Sequence, residues 1–520
     1  EEQAIIDARN KAWEDDATNR KLVLIKETRL KKAINEIDKL IAKQNNFQAP
    51  IRKLIEEENT SADDLAIRRA KDTFDRSKIP VAGANPPVSV PQMWQQEMVN
   101  GIKVLGAQSI ETPTTSLLLK IPAGHYYETK AKAGVANLLA NMLNESTTKR
   151  SGEDMSKALQ LLGSSVSIGS DSQYININVN ALTKNIDATM ELVREKLLMP
   201  AFIESEFARI KNNTIQGIAN NKKTAGYLAR TAYRQLLNGD NIAATPADGT
   251  EESVKSISLE DVKSFYQNHL KPKGANLIVV SDRDEKQLIA TLDILTEWKG
   301  EGPKLNLDVV IPETKPGVIY LVNKDDAAQS AIRIGKRGLK EDITGEFYRA
   351  YLMNFPLGGA FNSRINLNLR EDKGYTYGAR SYFWGNQLTG GYTATAEVRA
   401  DVTDKSIIEI VNEIKNYREK GITEKELEFM RNAINQRDAL KYETPGAKLG
   451  FLARILEHNL TPSFVDTQSE IVKKISAEEI NQLAKKHLNI EEMIMVVVGD
   501  AKKLKPELEA LGYPVVDYSI

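Results

Sequence analysis

The sequence predicts an α+β protein in which two homologous domains follow one another, each an antiparallel sheet packed with helices. Three features lead to this prediction: a long internal repeat, segments in which apolar and polar residues alternate, and helical runs that stay separate from those segments. The chain has 520 residues, 41% of them hydrophobic, which is enough for several cores. A helical segment is predicted in front of the two domains.

The internal repeat is a unit that occurs twice without a gap. The first copy comprises Ile257–Val262, His269–Leu270 and Val279–Asp282, and the second, 218 residues later, comprises Ile475–Ile480, His487–Leu488 and Val497–Asp500. Each copy has the pattern of a serine-capped helix followed by a β-rich strand. A second pair of matching segments, Glu204–Lys211 and Glu424–Arg431, is 220 residues apart. A repeat of this length indicates a duplicated domain and not a solenoid.

Alternating segments supply the predicted strands. The apolar positions of one segment in each domain are Ile175, Ile177, Val179 and Ala181, and Tyr392, Ala394, Ala396 and Val398. A period of two indicates a strand with one buried face and one exposed face. Gly390 and Gly391 predict a turn just before the second of these strands. The predicted helices cover 184–197, 203–221 and 403–420, apart from the strands, as is typical of α+β proteins.

Composition changes divide the chain into four segments. Residues 1–76 carry apolar residues at spacings of three, four and seven, including Leu30 and Ile34, which predicts an amphipathic helical arm or linker. Such a segment either docks on a partner or packs as an ordinary linker. Residues 77–96 contain four prolines and are predicted to be an extended linker. Residues 97–305 and 306–520 are the two predicted homologous domains.

Bulk properties exclude several classes of protein. A net charge of −1 gives no reason to expect a basic face, so we expect no nucleic-acid partner. No apolar run approaches the roughly 20 residues of a transmembrane helix. Without cysteine the chain has neither disulfides nor thiolate metal sites, which fits a periplasmic or a cytoplasmic protein equally. We expect the periplasm, with the cytoplasm as the alternative.

The four histidines are interpreted as structural. They are His125, His269, His458 and His487, and no two lie within one helical turn of each other, which rules out a local two-histidine metal motif. His269 and His487 occupy equivalent positions at the ends of the repeated helices, where a cation is favourable.

A helix-like segment from Gly134 to Leu143 has the frame of a zinc-peptidase helix without its functional side chains. The frame is Gly-x-Ala-His-x-x-Glu-His-Met-Leu, in which two imidazoles bind zinc and the glutamate activates water. Asn137 and Asn141 occupy the histidine positions and Ala140 occupies the glutamate position. The sequence therefore predicts no metal site in this chain. The asparagines either bind a substrate amide or are relics that face a chamber or a neighbouring backbone.

A second candidate site lies between Leu357 and Gly378. Gly358 and Gly359 permit a backbone path closed to other residues, so substrate could approach closely there, although a simple helix-breaking turn explains them equally well. Arg370 ends a helix-like run and Tyr377 opens a strand-like one. A guanidinium can hold a peptide carbonyl, and a phenol can donate to a developing oxyanion. The alternative for this pair is a surface arginine and a core tyrosine.

Over roughly residues 90–520 the order of these elements resembles the pitrilysin/insulinase family of zinc metallopeptidases, the inverzincins. In that family four homologous α+β domains enclose a chamber as two halves. One half carries the His-x-x-Glu-His helix and a distal glutamate ligand, and the other contributes an Arg-x6-Tyr pair. The resemblance places the distal ligand near Gln216 or Gly217, neither of which is a carboxylate, and the pair on Arg370 and Tyr377.

The resemblance implies that this chain is the zinc-free half of a bacterial enzyme, as a C-terminal half or as a separate non-catalytic subunit. It would be inactive alone, bind no cofactor itself, and pair with a homologous zinc-bearing half to degrade peptides. Tyr377 would stabilise the oxyanion, Arg370 would position substrate, and Gly358 and Gly359 would face the chamber. The alternatives are an inert structural or assembly subunit and a peptide-binding module on the same fold.

Overall fold

The computed structural model describes residues 27–35, 75, 78, 90–305, 307, 312, 315–439 and 441–520. The chain separates into two compact units, Glu1–Ala82 and Gly83–Ile520. In the first unit residues 27–35 are helical, and Leu30 and Ile34 are exposed. Most of the predicted helical arm (1–76) and of the proline-rich linker (77–96) lies outside the described residues.

The second unit contains two six-stranded sheets, in which five of the six strands follow the same topology. The strands of the first sheet are β1 (Met93–Glu97), β2 (Lys103–Gln108), β3 (Thr114–Ile121), β4 (Ser165–Ser170), β5 (Ile175–Leu182) and β6 (Asn276–Ser281). Those of the second are β7 (Ile319–Asn323), β8 (Gln329–Arg337), β9 (Thr376–Gly385), β10 (Gly390–Arg399), β11 (Ile494–Gly499) and β12 (Val515–Asp517). The strand orders are β1-β2-β6-β3-β5-β4 and β12-β7-β11-β8-β10-β9.

Strand pairing confirms the predicted α+β class. Most pairs are antiparallel, and each sheet has one corresponding parallel pair, β2 with β6 and β7 with β11. The β6 and β11 strands are themselves 218 residues apart, as the repeat predicts. The sheets differ at one edge, where β1 runs antiparallel to β2 but β12 runs parallel to β7.

Helices surround both sheets. They are α1 (Val135–Met142), α2 (Gly152–Leu161), α3 (Ile186–Leu198), α4 (Glu204–Asn221), α5 (Ala225–Asn238), α6 (Glu251–Ser256), α7 (Leu259–His269), α8 (Glu285–Leu292), α9 (Glu346–Asn354), α10 (Thr403–Lys420), α11 (Glu424–Ala439), α12 (Pro445–Glu457), α13 (Phe464–Lys474), α14 (Ala477–His487) and α15 (Ala501–Glu509). Three short helical segments between α9 and β9 are Phe355–Gly359, Arg364–Asn366 and Leu367–Asp372. None of the helices in the described ranges is long and apolar enough to cross a bilayer.

The repeated helix and strand units have the predicted local structure. The hydroxyl of Ser258 accepts a hydrogen bond from the amide of Asp261 at the start of α7, and Ser476 does the same for Glu479 at the start of α14. Each serine thereby satisfies an amide that the first turn of the helix leaves unpaired. The inward positions of β5 that were predicted from alternation are buried.

The two halves of the second unit exchange one helix each. Helix α5 follows the first sheet in the chain but packs on β8 and β11 of the second. Helix α12 packs in return on β2, β3 and β6 of the first sheet. The exchanged helices cover the second face of each sheet, which is why every residue of β6 and of β11 is buried. This accounts for the continuous apolar composition of both strands.

Tyr233 links α5 to the second sheet through two hydrogen bonds. Its hydroxyl donates to the carbonyl oxygen of Tyr392 at 3.0 Å and accepts from the hydroxyl of Thr393 at 3.1 Å. We expect Tyr233→Phe to lower the free energy of unfolding by about 1–2 kcal/mol, because buried hydrogen-bonding groups lose a partner. Urea denaturation of the full chain measures this. The matched control is Tyr513→Phe, because Tyr513 is half-buried and its hydroxyl has no hydrogen bond to described residues. Equal effects of the two substitutions would contradict this role of Tyr233.

One predicted turn is wrong. Gly390 and Gly391 do not precede the strand but are the first two residues of β10. The turn is made by Asn386, whose side-chain oxygen accepts from the amides of Leu388 and Thr389. The glycines are needed for close packing, since a Cβ at Gly390 would lie 1.8 Å from the carbonyl oxygen of Leu339.

Candidate functional site

The degenerate zinc motif forms a real helix, α1, whose start is fixed by a buried carboxylate. Gly134 precedes the helix in a left-handed conformation, with φ of 100°, which favours glycine. The two carboxylate oxygens of Glu128 accept the amides of Gly134 and Ala136 at 2.8 and 2.7 Å. Glu128 also lies 2.7 Å from Nδ1 of buried His125. The polar groups that stabilise this helix are therefore at its N-terminus and not at the zinc positions.

The side chains at the zinc positions bond to each other and to their own helix. The Asn141 amide nitrogen donates to the backbone oxygen of Asn137 at 2.8 Å and to its side-chain oxygen at 3.2 Å. Ala140 is buried and offers only a methyl group. An amide, a methyl and an amide do not reproduce the two imidazoles and carboxylate of a zinc peptidase. Within the described ranges there is no group of three or more His, Cys, Asp or Glu that could hold a metal ion.

The predicted position of the distal zinc ligand lies on α4. Gln216 and Gly217 are both exposed there, and neither carries a carboxylate. A Cβ at Gly217 would meet no atom within 4 Å. The residues of this region therefore do not fit zinc at any of its expected ligand positions.

Arg370 lies in the helical segment Leu367–Asp372 and its guanidinium stacks on an aromatic ring. The guanidinium carbon is 4.6 Å from the centre of the Phe361 ring, a cation–π distance. Its Nε lies 3.4 Å from the carboxylate of Glu371, and the side chain is about one-third exposed. Phe361 itself is 64% exposed. The ring thus holds the guanidinium at the surface, with donors left for a ligand.

Tyr377 is the second residue of β9, which is an edge strand of the second sheet. The pairing of β9 with β10 shifts register between Thr376 and Ala379, so Tyr377 lies in a β-bulge. Bulges redirect side chains and are frequent beside active sites. Tyr377 is 92% exposed, and its hydroxyl makes no hydrogen bond to any residue that the structure describes. The alternative prediction, that Tyr377 belongs to the core, is therefore wrong.

Two hydrogen bonds join the chain around Arg370 to the chain around Tyr377. The amide of Tyr375 donates to the carbonyl oxygen of Leu369 at 2.8 Å, and the amide of Ala379 donates to the side-chain oxygen of Asn366 at 3.0 Å. Arg370 and Tyr377 are thereby held on neighbouring segments of the chain, and both side chains are accessible to solvent. No hydrogen bond or cation–π contact joins the two side chains; the guanidinium of Arg370 stacks on Phe361 instead.

Gly358 and Gly359 end the helical segment Phe355–Gly359 and differ in their surroundings. Gly359 is exposed. Gly358 is buried, and a Cβ there would lie 2.1 Å from the hydroxyl oxygen of Ser381 and 2.5 Å from its amide nitrogen. Close packing on β9 therefore accounts for Gly358, while the substrate-binding role stays a prediction for both glycines.

We expect Gly358→Ala to lower the free energy of unfolding by about 1–3 kcal/mol, because the added methyl forces the segment away from β9. The control is Gly217→Ala, which adds a methyl in open space within a helix and should raise stability by about 0.5–1 kcal/mol. Thermal and urea denaturation measure both. If the two substitutions shift stability equally, the packing account of Gly358 is wrong.

Sequence reasoning missed two features of this region. Phe361 was not predicted as a site residue, although an aromatic residue two positions after a glycine pair and nine before an arginine was a usable signal. His125 was interpreted as structural from the sequence, but Glu128 was not considered. No local pattern links Glu128 to the helix that begins seven residues later.

Family models match two parts of the chain. Residues 103–245 match a model described as "Insulinase (Peptidase family M16)", and residues 256–434 match one described as "Peptidase M16 inactive domain". Together these matches include β2 to β10 and leave out β1, β11 and β12.

Individual relatives agree with the family models. The chain is 25% identical over 406 residues to a Helicobacter pylori protein named "Non-peptidase homolog YmxG", covering 76% of this chain and 90% of the relative. It is 20% identical over 389 residues to a Bacillus subtilis protein named "Uncharacterized zinc protease YmxG", covering 74% and 93%. A crystal structure of a peptidase M16 inactive domain from Pseudomonas fluorescens has the same fold, with a TM-score of 0.73, 24% identity, and coverage of 78% of this chain and 98% of that one.

Proposed function

We propose that this chain, which belongs to the peptidase M16 (insulinase) family, is the non-catalytic half of a zinc metallopeptidase and works with a homologous zinc-bearing half. The chain is a family member without the family's zinc ligands. In the proposed complex it supplies Arg370 and Tyr377 to a chamber in which peptides are cleaved.

One contrast supports the proposal. The three zinc-motif positions have lost their functional side chains, whereas Arg370 and Tyr377 are both present and both reach solvent. An exposed tyrosine in a bulge and a guanidinium stacked on an exposed ring contribute little to the stability of the fold. Their presence in a chain whose zinc motif is disabled fits a role toward a ligand.

The side chains suit the roles assigned to them. Zinc and the base that activates water would belong to the partner half. The free hydroxyl of Tyr377 can donate a hydrogen bond where negative charge develops on the substrate carbonyl oxygen. Arg370 offers planar donors that can hold a neighbouring peptide carbonyl, and Phe361 limits the orientations of its guanidinium. The exposed Gly359 leaves room for the substrate backbone.

The alternatives are an inert structural or assembly subunit and a peptide-binding module. The name "Non-peptidase homolog" of the Helicobacter pylori relative is compatible with all three readings. The exposed, unbonded phenol of Tyr377 favours the half-enzyme, because an inert subunit has no use for it. A bacterial source and a periplasmic location stay predictions.

Reconstitution tests the proposal. The chain is purified alone, and also together with a homologous chain from the same genome that carries the intact His-x-x-Glu-His motif, and cleavage of quenched fluorescent peptides is followed. We expect no zinc-dependent cleavage by this chain alone, and faster cleavage by the pair than by the zinc-bearing chain alone. A zinc-bearing partner that binds this chain yet cleaves at an unchanged rate would contradict the proposal and favour an inert subunit.

A further inference from the structure

A polar cavity opens beside the disabled zinc motif. It has a volume of about 370 Å³, and its lining includes Asn137, Ser170, Tyr227, Arg230, Arg234 and Asp248. Asn137 comes from the zinc-position helix α1, whereas Tyr227 and both arginines come from α5, the helix that packs on the second sheet. The cavity therefore lies where the two halves of the fold meet.

Arg234 is a half-buried cation that forms no ion pair within 4.0 Å with any described residue. Its Nη1 donates to the carbonyl oxygen of Thr245 at 3.3 Å, which is its one hydrogen bond to the residues that the structure describes. A guanidinium has five N–H donors, so four make no hydrogen bond to the described residues and are free to bind a ligand in the cavity. Burial lowers the pKa of Arg234, against the effects of Tyr126 and Asp248.

Arg230 adds a second guanidinium on the same face of α5, since residues four apart on a helix are neighbours. It is exposed, and its guanidinium carbon is 6.0 Å from the centre of the Tyr227 ring. Asp248 also lines the cavity but forms no ion pair within 4.0 Å with any described residue. Two arginines and one aspartate leave the lining with one excess positive charge.

We propose that this cavity binds a carboxylate, held by Arg230 and Arg234 beside the amide of Asn137. The planar fork of a guanidinium matches the two oxygens of a carboxylate and can donate to both at once. Asn137 can donate a further hydrogen bond through its side-chain nitrogen. The carboxylate comes from the free C-terminus of a peptide or from an acidic side chain, which share this chemistry.

The site would replace the cation of a zinc peptidase with fixed guanidinium groups. Carboxylate binding at this site needs no partner chain, so the proposal goes beyond the half-enzyme proposal and is tested independently of it. A chain that failed to bind carboxylates could still supply Arg370 and Tyr377 in a complex, and the reverse also holds.

Calorimetric titration of the full chain with three short peptides tests the site. The probes are acetyl-tetra-alanine with a free C-terminus, the same peptide with a C-terminal amide, and an amidated version with one aspartate. We expect the free acid or the aspartate peptide to bind at least about tenfold more tightly than the neutral amide, because hydrogen bonds to charged groups are the strong ones. Whichever of the two binds identifies the source of the carboxylate.

Substitutions of Arg230 and Arg234 show whether these two arginines hold the carboxylate. Arg230→Gln and Arg234→Gln should each weaken carboxylate binding by about tenfold or more. Arg380→Gln is the matched control, since Arg380 is an exposed arginine 5.6 Å from the Tyr382 ring, and it should leave the affinity unchanged. Because Arg230 is exposed, its variant keeps the test valid if Arg234→Gln does not fold. Equal binding of all three peptides, binding of none, or unchanged affinity in the folded arginine variants would overturn the proposal.

Discussion

Replacing Tyr377 with phenylalanine, or Arg370 with alanine, is expected to lower the turnover of the reconstituted peptidase by about 10²-fold. Loss of one preorganised donor to a developing oxyanion has an effect of this size in other hydrolases. The Tyr377 hydroxyl has no hydrogen bond to described residues, so its removal should leave the fold intact. The measurement is kcat and KM for a quenched fluorescent peptide, cleaved by the complex with its zinc-bearing partner.

The two variants should differ in how much of the lost activity appears in kcat and how much in KM. Tyr377→Phe removes an interaction that strengthens in the transition state, so kcat should fall while KM changes little. Arg370→Ala also removes ground-state contact with substrate, so KM should rise as well. Tyr382→Phe in the same strand is the control and should change turnover less than twofold. If Tyr377→Phe and Arg370→Ala turn over peptides like the unsubstituted complex, neither residue has the proposed role.

Glu128→Ala is expected to lower the free energy of unfolding by about 3–5 kcal/mol, the range found when one partner of a buried ion pair is removed. Nε2 of His125 lies 3.0 Å from the carbonyl oxygens of both Ile242 and Thr245, which only an N–H can satisfy. Without Glu128, Nδ1 of His125 and the amides of Gly134 and Ala136 all lose their hydrogen-bond acceptor. Urea denaturation of the full chain measures the change.

The control for this prediction is Glu153→Ala. Glu153 pairs with Lys157 at 2.6 Å, but its side chain is 77% exposed. Exposed pairs contribute between zero and about 1 kcal/mol, so the control should change stability little. A loss at Glu128 no larger than the loss at Glu153 would show that the buried pair does not fix the start of α1.

Much of the fold could be predicted because the repeat and the alternation are local patterns with a physical period. The 218-residue offset predicted β6 and β11, and the burial of β5 followed from its alternating residues. The exchange of α5 and α12 could not be predicted. An apolar helix face shows that a helix packs, but not on which of two similar sheets.

The charge state of two histidines could not be predicted either. His269 and His487 end their helices as expected, but His269 is half-buried and His487 is buried, and Nε2 of His487 also lies 2.6 Å from the carboxylate of Glu346. His269 stacks on Phe265 at 4.1 Å, and burial lowers the pKa of both imidazoles. The expected benefit of a cation at these helix ends is therefore outweighed by desolvation.

At the candidate site the residue types were predictable and their surroundings were not. The frame around Asn137 and the seven-residue spacing from Arg370 to Tyr377 are visible in the sequence. The bulge that exposes Tyr377 and the ring of Phe361 under Arg370 depend on how β9 pairs and how the preceding segment folds back. Such contacts arise from tertiary packing and have no periodic signal.

The zinc content of the purified chain tests the central claim most directly. The chain is incubated with excess zinc, freed of unbound metal, and measured by inductively coupled plasma mass spectrometry, beside the zinc-bearing partner treated in the same way. Because Asn137, Ala140 and Asn141 offer no zinc ligands, we expect far less than one zinc per molecule of this chain and one per molecule of the partner. One tightly bound zinc per molecule of this chain would contradict the account.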